Sequence, residues 1–139
     1  MRLSRSEILN QFDDWLNSWN DHNLEGVMNF LHENIFFENW NGTSVSGKAL
    51  LKKAWERWFE NHGNFKFSTE DLFIDEQQQK IAFSWKLEWP SLEKKYFGQS
   101  EIRRGMDILH LEDGKIKTKI TYSKTLLQIN NRPITLFAE

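Results

Sequence analysis

The spacing of apolar positions switches for the rest of the chain near residue 65. Before that point apolar residues recur every three or four positions except across one short hairpin, and after it they alternate. Ser4 and Glu7 form a Ser-x-x-Glu capping box, and behind it Ile8, Leu9, Phe12, Trp15, Leu16 and Trp19 share one helical face. Asn20-Asp21-His22-Asn23 ends that helix, and Asn23 can cap a short second helix that turns Val27, Met28, Phe30 and Leu31 inward. A strand is expected over 35–40, with Asn41-Gly42 as a tight turn and a brief return strand over 43–45. Ser46 is expected to cap a third helix, in which Leu51, Ala54, Trp55 and Trp58 keep the period and Gly63 is the stop.

Period two then takes over. A strand is expected over 65–74, with a bulge because its alternation slips after Phe67. Residues 75–79 form a turn. Phe83, Trp85, Leu87 and Trp89 alternate cleanly with polar or small neighbours until Pro90 ends the strand, and 91–98 form a loop. Segments 100–111 and 116–127 make a hairpin around Asp113-Gly114, and 128–139 read as an extension that could pair at a sheet edge. Helices first and long antiparallel strands afterwards imply an α+β fold rather than α/β, because parallel strands would need a helix between each pair. Three N-terminal helices packed on a curved, mostly antiparallel sheet would enclose a cone-shaped space, with aromatic side chains pointing into it.

The 139 residues suit a single domain spanning 1–139. The net charge of −2, with acids and bases interspersed, gives no basic stripe for nucleic acid and no polybasic cluster for a membrane surface. The absence of cysteine excludes disulfides and thiol chemistry. No signal-peptide core or membrane-length apolar run is visible, so a cytoplasmic location is expected. Aromatics are the compositional outlier, with 11 Phe and 7 Trp against 2 Tyr. Two explanations stay open: a bulky core with a dimer interface, or an aromatic-lined cavity for a flat, apolar ligand.

The chemistry points to Arg103-Arg104-Gly105-Met106-Asp107-Ile108-Leu109-His110-Leu111, which sets a lone carboxylate inside an otherwise apolar strand. Asp107 shares parity with Gly105, Leu109 and Leu111, so it faces the core if they do. A buried charge is costly unless paired or neutralised. Asp107 is therefore either an acid/base in an apolar site or the ion-pair partner of Arg103, and a bulge at Gly105 would spoil the parity. His110 falls on the opposite strand face. His22, His32 and His62 fall at loops or helix ends, where capping or solvation is expected, and no His/carboxylate spacing suits a metal. Lys115, Lys117 and Lys119 alternate and read as a solvated face. No phosphate loop or nucleophile elbow is present, so no cofactor is expected. Glu38 is expected to point away from the cavity and Asn39 into it, although a one-residue register shift would exchange them.

The segments 19–28 (Trp-Asn-Asp-His-Asn-Leu-Glu-Gly-Val-Met), Phe37-Glu38-Asn39-Trp40-Asn41-Gly42, Ser46-Gly47-Lys48, Arg104-Gly105-Met106-Asp107, Asp113-Gly114-Lys115-Ile116 and Tyr122-Ser123-Lys124 occur in an order that resembles the nuclear transport factor 2-like superfamily. Within it the chain looks most like the SnoaL-like polyketide cyclases and ketosteroid isomerases. The resemblance reaches to about Leu127 and speaks to fold more than to function. Ketosteroid isomerases of this kind use a phenol, a base carboxylate and a protonated acid, which fall here at Trp15, Asn39 and Asp107, so one of the three keeps its chemistry. In the similar cyclases the strand aspartate is the acid/base, which suits Asp107. Epoxide hydrolases of the superfamily need two acids and an arginine, of which Arg103 and Asp107 supply half. The resemblance thus implies a cofactor-independent isomerase or cyclase acting by proton transfer beside a carbonyl. Asp107 would be the acid/base. Asn39, Trp15 and Tyr122 would hold the oxygen, and Trp19, Trp40, Trp85 and Trp89 would form the walls beside Arg103. The expected partners are a hydrophobic small molecule and a second copy in a homodimer. Binding without catalysis in the same cavity, and a dimeric interaction module, are the alternatives.

Overall fold

The computed structural model describes residues 1–136. Helix α1 (Arg5–Asn20) begins at the expected capping box: Ser4 Oγ accepts the Glu7 backbone N–H, and the Glu7 carboxylate accepts the Ser4 backbone N–H. Its buried face is Ile8, Phe12, Trp15 and Trp19, as the spacing requires. Helix α2 (Leu24–Met28) is capped by Asn23, whose side chain accepts the Gly26 N–H. Strand β1 (Leu31–Glu38) and strand β2 (Ser44–Ser46) follow, joined through the Asn41-Gly42 turn. Helix α3 (Lys48–Asn61) corrects one expectation. Its N-cap is Gly47 at φ 96°, not Ser46, and no side chain caps it. The positive φ demands glycine there, which leaves Ser46 in β2.

The sheet continues with β3 (Lys66–Asp75), β4 (Lys80–Pro90), β5 (Ser100–Glu112) and β6 (Lys115–Ser123), in the order β2-β1-β6-β5-β4-β3. All neighbours are antiparallel except β1 and β6, so the sheet is mixed. The expected bulge in β3 lies between Thr69 and Asp71. The 128–139 extension does pair: β7 (Leu126–Ile129) joins β5 and forms a hairpin with β8 (Arg132–Thr135). Residues 137–139 of that extension lie outside the described residues. Three helices on one face of a curled sheet give the expected α+β cone.

Two features of the sheet decide what faces the cone. Strand β5 keeps one register against β4, from Ser100 opposite Pro90 to His110 opposite Lys80, so Gly105 marks no bulge. Glu101, Arg103, Asp107, Leu109 and Leu111 are therefore all buried on the inner face. Strand β6 behaves differently. Leu111 pairs with Ile116 but His110 pairs with Thr118, which leaves Lys117 as an extra residue. A bulge reverses the facing of everything beyond it. Ile116 faces inward before it, and Lys119 and Thr121 are buried after it, whereas Tyr122 turns outward and is 52% exposed.

The helices close over this face through aromatic packing. Trp19 meets Trp55 at 4.9 Å between ring centroids, and Phe12 meets Phe83 edge-on at 4.8 Å. Each such ring buried whole contributes about 1.5–3 kcal/mol. The C-terminus of α1 is fixed to β3 by Asn20, whose carboxamide donates to the Phe67 carbonyl and accepts the Phe67 N–H at 2.9 and 2.8 Å, like one more strand pairing.

Candidate active site

Helices α1 and α3, the β1–β2 hairpin and the inner face of β3–β6 enclose a cavity of about 220 Å³. Nine of its lining side chains are aromatic: Trp15, Trp19, Phe37, Trp40, Trp55, Trp58, Phe67, Phe83 and Trp85. The polar lining is Asn39, Thr43, Asp107, Lys119 and Thr121, contributed by the loop between β1 and β2, by β5 and by β6. One wall of the cavity can thus hydrogen-bond while the rest is apolar.

Asp107 is 3% exposed and Lys119 is 7% exposed. Lys119 Nζ donates to Asp107 Oδ2 at 2.9 Å and to Thr121 Oγ1 at 2.7 Å. An ammonium has three N–H bonds, so one remains. That same Nζ stands 4.8 Å from the centre of the Phe37 ring and 5.9 Å from that of Trp55. Trp85 Nε1 donates to Asp107 Oδ1 at 3.1 Å. Each carboxylate oxygen can accept a second bond, so the pair keeps both a spare donor and spare acceptor capacity on a cavity wall.

Gly105 makes this arrangement possible. A Cβ at that position would lie 2.1 Å from the Tyr122 carbonyl oxygen and 2.5 Å from the Trp85 ring. Only a bare backbone lets the indole lie across β5 and reach Asp107.

Of the two alternatives for Asp107, the ion pair with Arg103 does not form. Arg103 Nε donates to Glu101 Oε2 at 3.1 Å, and its Nη2 donates to Glu93 Oε1 at 2.7 Å. Its guanidinium stacks 4.7 Å from the Trp40 ring and 5.9 Å from that of Trp89. Glu101, whose side chain is fully buried, also accepts from Trp89 Nε1 and from Ser91 Oγ. This second ionic cluster is sealed away from the cavity, so neither Arg103 nor Trp89 lines it. Lys119 is the functional candidate that strand alternation hides, because the extra residue at Lys117 turns it from the solvated face inward. The same bulge removes Tyr122 from the cavity.

The remaining candidates divide. Trp15, Trp19, Trp40 and Trp85 do form walls, and Asn39 rather than Glu38 lines the cavity. Asn39 Oδ1 accepts the Trp40 backbone N–H at 2.8 Å. The buried Trp15 Nε1 has no hydrogen-bond partner among the described residues. His22 stacks on Phe65, and His110 is exposed on the outer face. His62 sits at the expected helix end, as the C-cap residue of α3, but it is buried rather than solvated. It is 5% exposed, stacked on Trp89 and packed on Trp58, and burial pushes its pKa down to about 4. Among the described residues no group of three or more His, Asp or Glu could hold a metal ion. No helix among the described residues is long and apolar enough to cross a membrane.

Comparison with known proteins agrees with the fold. The profile of the SnoaL-like domain matches residues 12–118. Among solved structures, the chain is similar to an epoxide hydrolase/cyclase-like enzyme with a role in pyran ring formation in the polyether salinomycin, at 12% identity and TM-score 0.73, covering 86% of this chain and 92% of that one. It is similar to a candidate polyketide cyclase from Xanthomonas campestris pv. campestris at 14% identity and TM-score 0.71, covering 85% and 90%. It is also similar to an LEH-like epoxide hydrolase from M. tuberculosis at 14% identity and TM-score 0.70, covering 86% and 84%. At such identities the likeness shows the fold alone. No curated protein matches the chain.

Proposed function

This chain belongs to the SnoaL-like domain family, and we propose that it binds an apolar small molecule in the aromatic cavity and moves a proton beside a carbonyl of that molecule, giving isomerisation or cyclisation without a cofactor. The observation that carries this reading is the Asp107–Lys119 pair, set into a cavity wall with hydrogen-bonding capacity unspent. The Asp107 carboxylate takes the proton from the carbon next to the carbonyl. The electron pair released moves onto the carbonyl oxygen, where the third Lys119 N–H meets the growing negative charge. Asp107 then returns the proton to a different carbon, or the enolate attacks a second carbonyl carbon of the same molecule, whose C=O π pair moves onto its oxygen, and the alkoxide so formed takes the proton back from Asp107. Asn39 and the unpartnered Trp15 N–H are additional donors for that oxygen. Epoxide opening by two acids and an arginine is less well supported, since Arg103 is occupied by Glu101 and Glu93 and Asp107 is the only acid among the lining residues.

The test is solvent deuterium exchange at the carbon next to the carbonyl of 2-tetralone, followed by NMR. The wild-type protein should accelerate exchange, and Asp107→Asn should lower that acceleration by about 10²-fold or more. Equal acceleration by both proteins removes Asp107 from the chemistry.

Binding without turnover is the second reading. It is favoured by one feature: both Asp107 oxygens already hold a donor, from Trp85 and from Lys119. Saturable binding of 2-tetralone with no accelerated exchange would select it. A homodimer through the outer sheet face belongs to the same proposal. Phe73, Met106, Ile108 and Tyr122 are exposed there, and a monomer in sedimentation at micromolar concentration would exclude it.

A further inference from the structure

We propose that the ligand is a neutral, planar molecule of one or two fused rings carrying a hydroxyl, phenolic or enolic, that inserts against the Asp107–Lys119 pair. This deepens the proton-transfer reading and rests on it, because the enol of a carbonyl substrate is such a molecule.

Size comes from volume. An apolar cavity of about 150 Å³ holds benzene, and this one measures about 220 Å³. It therefore takes one ring or two, and a four-ring body would leave much of its apolar surface outside. Planarity comes from the walls. Nine aromatic side chains line the cavity, and their faces make the most contact with a flat ring, in stacked or edge-on packing.

Charge comes from the pair itself. Asp107 and Lys119 cancel, so a ligand carboxylate attracted by the ammonium meets the aspartate beside it, and a ligand cation meets the reverse. Either would also lose its hydration to an aromatic wall with no counter-charge left to claim. A single hydroxyl suits both partners at once, because its O–H donates to a free Asp107 lone pair while its oxygen accepts the third Lys119 N–H. A bare carbonyl satisfies only the lysine. An unsubstituted ring satisfies neither.

The test ranks four probes on the wild-type protein: 2-naphthol, naphthalene, 2-naphthoate and estradiol. Titration calorimetry reads 2-naphthol directly, and displacement of 2-naphthol reads the rest. The expected result is that 2-naphthol binds at least tenfold more tightly than each of the other three. In the double variant Asp107→Asn/Lys119→Gln, which removes both charges while keeping volume, the advantage over naphthalene should be lost. Binding of 2-naphthoate or estradiol as tightly as 2-naphthol overturns the inference, as does failure of all four to bind. The wild-type ranking decides the matter even if the double variant does not fold. A reversed ranking with 2-tetralone exchange intact overturns only the ligand class. The expected ranking without exchange overturns only the chemistry.

Discussion

Two buried ionic clusters share the inner face of β5, and they differ in what they have left to give. At one end Glu101 accepts from Trp89, Ser91 and Arg103, while Arg103 spends its second arm on Glu93 and its faces on Trp40 and Trp89. Four residues further on, Asp107 accepts from Trp85 and Lys119 and borders the cavity. Both clusters would be flagged as costly charges in an apolar core. The first ties the 91–99 loop to the sheet and offers nothing to a visitor. The second keeps donors and acceptors unspent beside empty volume. Burial of charge alone therefore does not mark a site; unspent hydrogen-bonding capacity beside accessible space does.

The comparison breaks most visibly at the sealed end. Glu101→Ala leaves Arg103 dependent on half-buried Glu93 and orphans two buried donors, so it should cost about 3–5 kcal/mol in urea unfolding. A loss under about 1 kcal/mol would show that the cluster is not structural. His62 sharpens the same end, since it stacks on Trp89. Its pKa falls from 6.5 in the unfolded chain to about 4 in the fold, so the unfolded chain binds the extra proton between those values. Stability should be complete above pH 6.5, fall as the pH drops toward 4, and level off below, by about 3 kcal/mol in all. His62→Phe should flatten that slope, and an unchanged slope would assign it to other groups.

Smaller effects belong to the divide and to the open end. Gly105→Ala drives a Cβ against the Tyr122 carbonyl oxygen and the Trp85 ring, so strand and indole must both shift, and a cost of about 3 kcal/mol with a changed near-ultraviolet circular dichroism spectrum is expected. A spectrum like that of the wild type would mean that the indole does not need the bare backbone. Asp107→Asn should destabilise by less than Glu101→Gln in parallel urea titrations, because Lys119 keeps Thr121 and lies on the cavity. The reverse order would contradict the division of roles. Glu93→Gln, at the partly exposed edge, should cost no more than about 1 kcal/mol.

Much of this was legible in the chain. The capping box at Ser4 and Glu7, the face from Ile8 to Trp19 and the alternation from Phe83 to Trp89 are each one local rule repeated, and local rules survive folding. The facing of Asp107 followed from the same alternation. What escaped was set by a single inserted residue. The bulge at Lys117 depends on how β6 pairs with β5, and no residue near it announces the slip, so alternation puts Lys119 on a solvated face, and Tyr122 is expected at the cavity. The pairing of Arg103 escaped for a related reason. Glu101 lies two residues away on the same face and Glu93 in a loop, while Gly105 carries no side chain and Trp85 fills the gap toward Asp107. The Gly47 cap escaped because a serine stands immediately before it.

In the proposed function the Asp107–Lys119 pair, and not the Glu101–Arg103 cluster, meets the ligand. Carboxyl ¹³C NMR during titration with 2-naphthol tests it most directly, with the two signals assigned by Asp107→Asn and Glu101→Gln. The Asp107 carboxyl signal should move with occupancy and saturate while the Glu101 signal stays in place. A stationary Asp107 signal at saturating ligand, or a Glu101 signal that moves in its stead, would contradict the account.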